Sequence, residues 1–150
     1  MILWLIGQPG AGKTTLAREL LAYYKKVFQT VVYFDGEELR RMSANADFTA
    51  AGREKNVALM QELAAKLDAS GITIIVAMVT PYRWQREQFK KRCRVFEIYL
   101  HADNATRPRS EHRVSDFAPP EGNFLDVDTG TESVTDSAKR IITWVNNATC

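Results

Sequence analysis

The sequence predicts an α/β protein in which about five mainly parallel strands form one sheet covered by helices on both faces. Three observations predict it. Short apolar runs alternate along the chain with segments of helical apolar spacing. The run over 72–79 is apolar at successive positions, as a strand buried on both faces must be. The 150 residues are 45% apolar and 25% charged, one domain's length with enough apolar chain to fill a core without disulfides.

The elements follow in order. Residues 2–6 read as a short buried strand, and 13–26 as a helix with Leu16, Ala17, Leu20 and Leu21 at helical spacing. A second strand spans 30–34 and is broken by Asp35-Gly36. A long helix spans 49–69, with Val57, Met60, Leu63, Ala64 and Leu67 on one face, Thr49 as its candidate cap and Gly71 as its stop. The third strand, 72–79, is followed by Pro81 where the next helix begins, a favoured place for proline, and that helix runs to about Arg92. Strands at 95–100 and 124–127 and a closing helix at 133–145 complete the set. Residues 101–123 are polar, hold three prolines and show no apolar period. The expectation is a single domain over 1–150 with a lid-like loop at about 101–120.

Composition narrows the function. Twenty basic and 18 acidic residues leave a formal charge of +2, too small to argue for nucleic acid on its own. The basic group Lys90, Lys91, Arg92 and Arg94 would help nucleic acid bind, but it sits at a helix end whose dipole favours cations anyway. No apolar run approaches the ~20 residues of a membrane helix. The apolar first residues lack a basic leader, so they do not read as a signal peptide. Two cysteines, Cys93 and Cys150, fit a reduced cytoplasmic protein. His101 and His112 have no ligand spacing, which argues against zinc.

The first strand runs straight into Gly7-Gln8-Pro9-Gly10-Ala11-Gly12-Lys13-Thr14, the G-x-x-x-x-G-K-T phosphate-binding loop. The fold is therefore expected to be a P-loop NTPase three-layer sandwich. Gly7, Gly10, Ala11, Gly12, Lys13, Thr14 and Thr15 are the candidate nucleotide contacts: backbone amides and a helix N-terminus for the phosphates, Lys13 for the β- and γ-phosphates, and the Thr14 hydroxyl for Mg²⁺. Asp35, at the carboxyl end of the second strand, is placed to meet the metal or to take a proton from an attacking hydroxyl, with Gly36 allowing a sharp turn after it. A P-loop at the start of a short chain with a lone aspartate after strand two suits a small kinase using ATP and Mg²⁺.

Four further stretches carry a family resemblance. Phe34-Asp35-Gly36-Glu37-Glu38-Leu39-Arg40 resembles the D-G-D-x-x-R element of adenylylsulfate (APS) kinases. Phe48 with Arg53 and Asn56 resembles their G-F…R-x-x-N stretch, the segment 71–83 ending in Thr80-Pro81-Tyr82-Arg83 resembles their strand ending in I-S-P-Y-R, and 124–129 resembles their late L-D-T strand. The resemblance implies transfer of the γ-phosphoryl of ATP to the 3′-hydroxyl of APS. It further implies Asp35 and Lys13 as catalytic residues, with Asp35 and Thr14 on Mg²⁺. Arg40, Arg53 and Asn56 would contact the acceptor, Phe48 would pack on its adenine, and Thr80 and Pro81 would line its site.

The chain also departs from the family pattern. Glu37 replaces the second aspartate of D-G-D, no Arg-Asp pair precedes the lid, and the segment 103–113 is short, without a K-G-L-Y-K-type run. Arg107, Arg109 and Arg113 are the candidate lid cations. These departures leave the acceptor open between APS, a CDP-linked phosphoramidate, and a polynucleotide or modified base. A module that binds nucleotide without transfer also remains open. Family members are often dimers, so a homodimer remains open as well, although no apolar stripe marks an interface.

Overall fold

The computed structural model describes residues 1–28, 30–102 and 113–149. Arg107 and Arg109 lie outside the described residues. Strands β1 (Ile2–Ile6), β2 (Val31–Asp35), β3 (Thr73–Ala77), β4 (Val95–His101) and β5 (Phe124–Asp128) form one sheet in the order β2-β3-β1-β4-β5. Every neighbouring pair is parallel. Helices α1 (Lys13–Val27), α2 (Gly36–Ser43), α3 (Ala50–Ala69), α4 (Arg83–Arg92) and α5 (Val134–Thr149) cover it.

β1 shows why two layers of helix are needed. Its side chains alternate faces, as a pleated strand dictates. Leu3 and Leu5 pack with Leu16, Leu20 and Tyr24 of α1 and with Ile141 and Val145 of α5. Ile2, Trp4 and Ile6 pack on the other side with Leu39 of α2, Val57, Met60 and Ala64 of α3, and Phe89 of α4. The Trp4 and Phe89 rings meet edge to face at 5.6 Å. Each such side chain contributes about 1.5–3 kcal/mol by leaving water. The sheet is thus a middle layer between α1 with α5 and α2 with α3 and α4.

Five expectations need correction. Asp35-Gly36 does not end in a loop: Asp35 caps α2, its Oδ1 accepting the Glu38 N–H at 2.7 Å, with Glu37 and Glu38 in the positive first turn. Gly36 is not needed for a sharp turn, since a Cβ there would meet only the Met78 side chain, at 3.5 Å. Pro81 does not start α4, which begins at Arg83 after Tyr82, while Thr80 takes the turn at φ 47°. β3 stops at Ala77, and α5 extends to Thr149. The Thr49 cap forms, its hydroxyl accepting the Gly52 N–H at 3.3 Å. Of the basic group at the end of α4, Lys90 pairs with Glu87 and Glu97 at 2.6 Å each, and Arg92 with Glu62 at 2.7 Å. Among the described residues, no helix is long and apolar enough to cross a membrane.

Candidate active site

Because the strands are all parallel, their carboxyl ends share one edge of the sheet, and ligands of such sheets bind beyond that edge. β1 delivers the chain there into the phosphate-binding loop. Gly7 passes so close to β4 that a Cβ would lie 2.3 Å from the Leu100 carbonyl oxygen. Gly10 and Gly12 take φ of 82° and 93°, the left-handed conformations that curl the loop, and the Ala11 N–H bonds the Gln8 carbonyl at 3.1 Å. α1 starts directly behind, so its N-terminal dipole faces the loop. The Lys13 Nζ donates to the Gly7 and Gln8 carbonyls at 2.8 Å each. Thr14 and Thr15 are exposed. Ala11 is buried, and its carbonyl accepts the Thr129 hydroxyl at 2.8 Å, which ties the loop to the end of β5. A cavity of about 140 Å³ lies alongside, lined by Gly12, Thr15, Leu16, Thr129, Glu132 and Ser137 among others.

Asp35 ends β2 in register with Ala77, which in turn pairs with Leu5, so its carboxylate stands level with the exit of β1. With Oδ1 committed to the α2 cap, Oδ2 faces the Tyr33 hydroxyl at 3.5 Å. Burial pushes the Tyr33 phenol up; the nearby Thr14 hydroxyl opposes this, and the Asp35 charge reinforces it. Thr14, Tyr33 and Asp35 therefore form one cluster of oxygens. A hydroxyl and a carboxylate at the mouth of a phosphate loop are the donors that a hard divalent cation takes, so the residues present fit Mg²⁺.

A second group gathers beside α2 and the start of α3. Phe48 is 66% exposed, which excludes it from the core. The Arg40 guanidinium lies 4.2 Å above its ring centroid and donates to the Asn45 and Asp47 carbonyls at 3.3 and 2.8 Å. Burial lowers the Arg40 pKa, and the nearby Arg53 charge lowers it further, so two guanidiniums converge here. Arg53 Nη1 stands 3.7 Å from Asp116 Oδ1. The Tyr82 hydroxyl is buried without a well-formed hydrogen bond, with Asp116 and Arg53 as its polar neighbours, and burial pushes its pKa up. Asn56, 4% exposed and one turn beyond Arg53, keeps its Oδ1 buried without a partner.

Thr80 and Pro81, expected along the acceptor site, are both buried. The Thr80 hydroxyl accepts the Trp4 indole N–H at 2.9 Å and donates to the Met78 carbonyl at 3.3 Å, so it faces the core rather than the site. The Thr80 carbonyl accepts from Arg86 Nη1 at 2.7 Å, and Arg86 is itself buried against Glu97 at 2.8 Å. Arg113 is exposed, next to Val114. Three neighbours escaped the sequence reading. Tyr33 was legible, because it lies two residues before Asp35 and hence on the same face of the strand. Gln8 and Asp116 carried no local signal.

A glycine-rich anion loop at the end of a central parallel strand, a lysine and threonine opening the next helix, and an aspartate ending the second strand define the phosphate-binding site of a P-loop protein. Residues 1–115 match the adenylylsulphate kinase family profile, and the chain belongs to that family. It is 36% identical over 100 residues to the Archaeoglobus fulgidus protein named "Probable adenylyl-sulfate kinase", a match covering 65% of this chain and 64% of that one. It is 30% identical over 106 residues to the cytidine diphosphoramidate kinase of Campylobacter jejuni, covering 68% of this chain and 61% of that one. The chain thus matches less than two thirds of the length of either relative. The fold superposes on the Mycobacterium tuberculosis APS kinase in complex with AMPPNP and APS, with a TM-score of 0.80 and 20% identity, covering 97% of this chain and 96% of that one.

Proposed function

We propose that the chain is an ATP-dependent adenylylsulfate kinase that transfers the γ-phosphoryl group of MgATP to the 3′-hydroxyl of APS. The observation that carries this reading is the convergence of Arg40 and Arg53 beside the exposed Phe48 ring. Paired guanidinium forks suit an oxyanion such as a phosphosulfate, and an open aromatic face suits a purine. Family membership supplies the pairing of that acceptor with a triphosphate donor.

Each residue then has a place. The amides of Gly7, Gly10, Ala11 and Gly12 cradle the triphosphate, and Lys13 exchanges the Gly7 and Gln8 carbonyls for phosphate oxygens. Thr15 and the adjoining cavity receive the nucleoside of ATP. Thr14 and Asp35 hold Mg²⁺, which supplies neutralising charge at the phosphates. Asp35 orients the acceptor hydroxyl and takes its proton as a bond forms between the 3′-oxygen and the γ-phosphorus. The bond to the β–γ bridging oxygen breaks, and ADP leaves. Arg40, Arg53 and Asn56 hold the acceptor, with Phe48 on its base and Pro81 beneath, while Arg113 adds charge at the rim. A single cytoplasmic domain over 1–150 completes the proposal, with a homodimer still open.

The test is ADP release from MgATP with and without APS, alongside cytidine diphosphoramidate and oligonucleotides. APS-dependent release with 3′-phosphoadenylylsulfate as product is the expected result. Release with cytidine diphosphoramidate alone would overturn APS as acceptor while keeping the donor half of the site. Tight ATP binding with no acceptor-dependent release would overturn catalysis itself.

A further inference from the structure

Gln8 occupies the second position of the phosphate loop, yet its side chain points to a different part of the chain. Its Nε2 donates to the Val114 carbonyl at 2.9 Å, and its Oε1 accepts the Val114 N–H at 2.9 Å, across a separation of 106 residues. One primary amide thereby satisfies both backbone groups of one residue, like a single rung of a strand ladder. The main chain of Gln8 is equally committed: its carbonyl accepts from both Lys13 Nζ and the Ala11 N–H. The residue that holds Val114 is therefore also the residue that holds the lysine.

From Val114 the chain crosses the face of the site. Two residues on, Asp116 reaches Arg53 at 3.7 Å. Phe117 stacks on Tyr99 at 5.9 Å. The Ala118 N–H bonds the Pro81 carbonyl at 2.9 Å, and the Ala118 carbonyl accepts from Arg86 Nη2 at 2.5 Å. Residues 113–118 thus form a strap, tied to the phosphate loop at one end and to the turn after β3 at the other. The contact of 3.7 Å between Asp116 and Arg53 is too long for a hydrogen bond. It acts through charge alone, so a closer oxyanion would displace it, and small movements of the strap would alter how much charge Arg53 presents.

We propose that Gln8 is a positioning residue that couples the phosphate loop to Arg53 through this strap, so that nucleotide binding retunes acceptor binding. When phosphate oxygens draw Lys13 off the Gln8 carbonyl, the same residue carries the change to Val114 and on to Asp116. The inference rests on the reading of Arg53 as an acceptor contact.

The test has two arms on the full chain. The first is amide hydrogen exchange at 113–118 with and without AMPPNP. The second is the affinity for APS in the presence and absence of AMPPNP. In the wild type, AMPPNP is expected to change exchange at Val114 and Ala118 and to shift APS affinity about five-fold or more, the lower end of ordinary site coupling. Gln8→Leu should abolish the AMPPNP response at Val114 and reduce the shift in APS affinity below about two-fold. Asp116→Asn should reduce that shift in the same way while Val114 keeps its protection. Unchanged coupling in Gln8→Leu overturns the proposal. So does a fall in AMPPNP affinity as large as the loss of coupling, because the effect then lies within the loop. If the wild type binds no APS, the acceptor reading fails. An exchange response at Val114 that depends on AMPPNP and is lost in Gln8→Leu still supports the role of Gln8, and the absence of one overturns it.

Discussion

The indole N–H of Trp4 in β1 donates to the hydroxyl of Thr80 at 2.9 Å, wholly inside the protein. The bond joins the central strand to the turn after β3 and fixes a threonine at φ 47°, a conformation a β-branched residue adopts only when its surroundings hold it there. Thr80→Val removes the acceptor and leaves a buried N–H unpaired, which should cost about 1–3 kcal/mol in urea unfolding. Thr80→Ser keeps the hydroxyl and should lose less than about 1 kcal/mol. The acceptor KM should stay within about two-fold in Thr80→Ser; a larger rise would mean that the side chain reaches substrate.

Lys13→Ala should eliminate phosphoryl transfer while the Tm stays close to wild type, because the Gly7 and Gln8 carbonyls that Lys13 bonds at 2.8 Å lie in its own loop at the edge of the sheet rather than in the core. Wild-type turnover in that variant would sink the kinase reading.

Asp35→Asn should lower kcat by about 10²–10⁴-fold, the usual worth of a general base, and should lower ATP affinity far less. Asparagine is as good a helix cap as aspartate, so stability should change by no more than about 0.5 kcal/mol. Equal losses in kcat and ATP affinity would move Asp35 from proton transfer to metal binding alone.

The Tyr24 hydroxyl is buried without a hydrogen-bond partner, and burial, followed by the neighbouring Tyr23, pushes its pKa up to about 12 from 10.0. A folded-state pKa above the unfolded value favours the neutral form in the native protein. Its stabilising contribution is therefore complete below pH 10 and is lost as pH rises from 10 towards 12. Unfolding measured across that range should show a downward limb that Tyr24→Phe removes. At neutral pH the same substitution should be neutral or slightly stabilising, since no hydrogen bond is lost.

Gly36→Ala should stabilise the protein by up to about 1 kcal/mol, because the position is helical, its φ is not in the left-handed region, and the added methyl meets only the flexible Met78 side chain at 3.5 Å. A loss of stability on chemical denaturation would show that the Asp-Gly pair serves the backbone after all.

The sheet and the phosphate loop were legible because local patterns decide them. An apolar run feeding G-x-x-x-x-G-K-T places β1, the loop and the start of α1 without further information. α2 was missed because Asp-Gly reads as a turn, and the glycine outweighed a cap followed by Glu37 and Glu38, which is itself a helix-start signal. Thr80 was expected at the acceptor from the resemblance of its strand end to I-S-P-Y-R, and its partner Trp4, 76 residues away, lies beyond any local pattern. Gln8 reads only as a filler position of the motif until Val114 is placed against it. Phe48 could not be told from a core residue by type, and only its 66% exposure sets it apart.

The two oxygens of Asp35 are divided between tasks, one capping α2 and the other facing the Tyr33 hydroxyl. The carboxylate proposed to receive the acceptor's proton has therefore surrendered its rotational freedom when the chain folds. No share of that ordering has to be met again in each catalytic cycle, and binding energy from the substrates is left for aligning the phosphoryl group with its acceptor. A glutamate here would carry its oxygens one methylene further out, breaking the cap and restoring the motion, so aspartate at this position is a requirement of preorganisation as much as of charge.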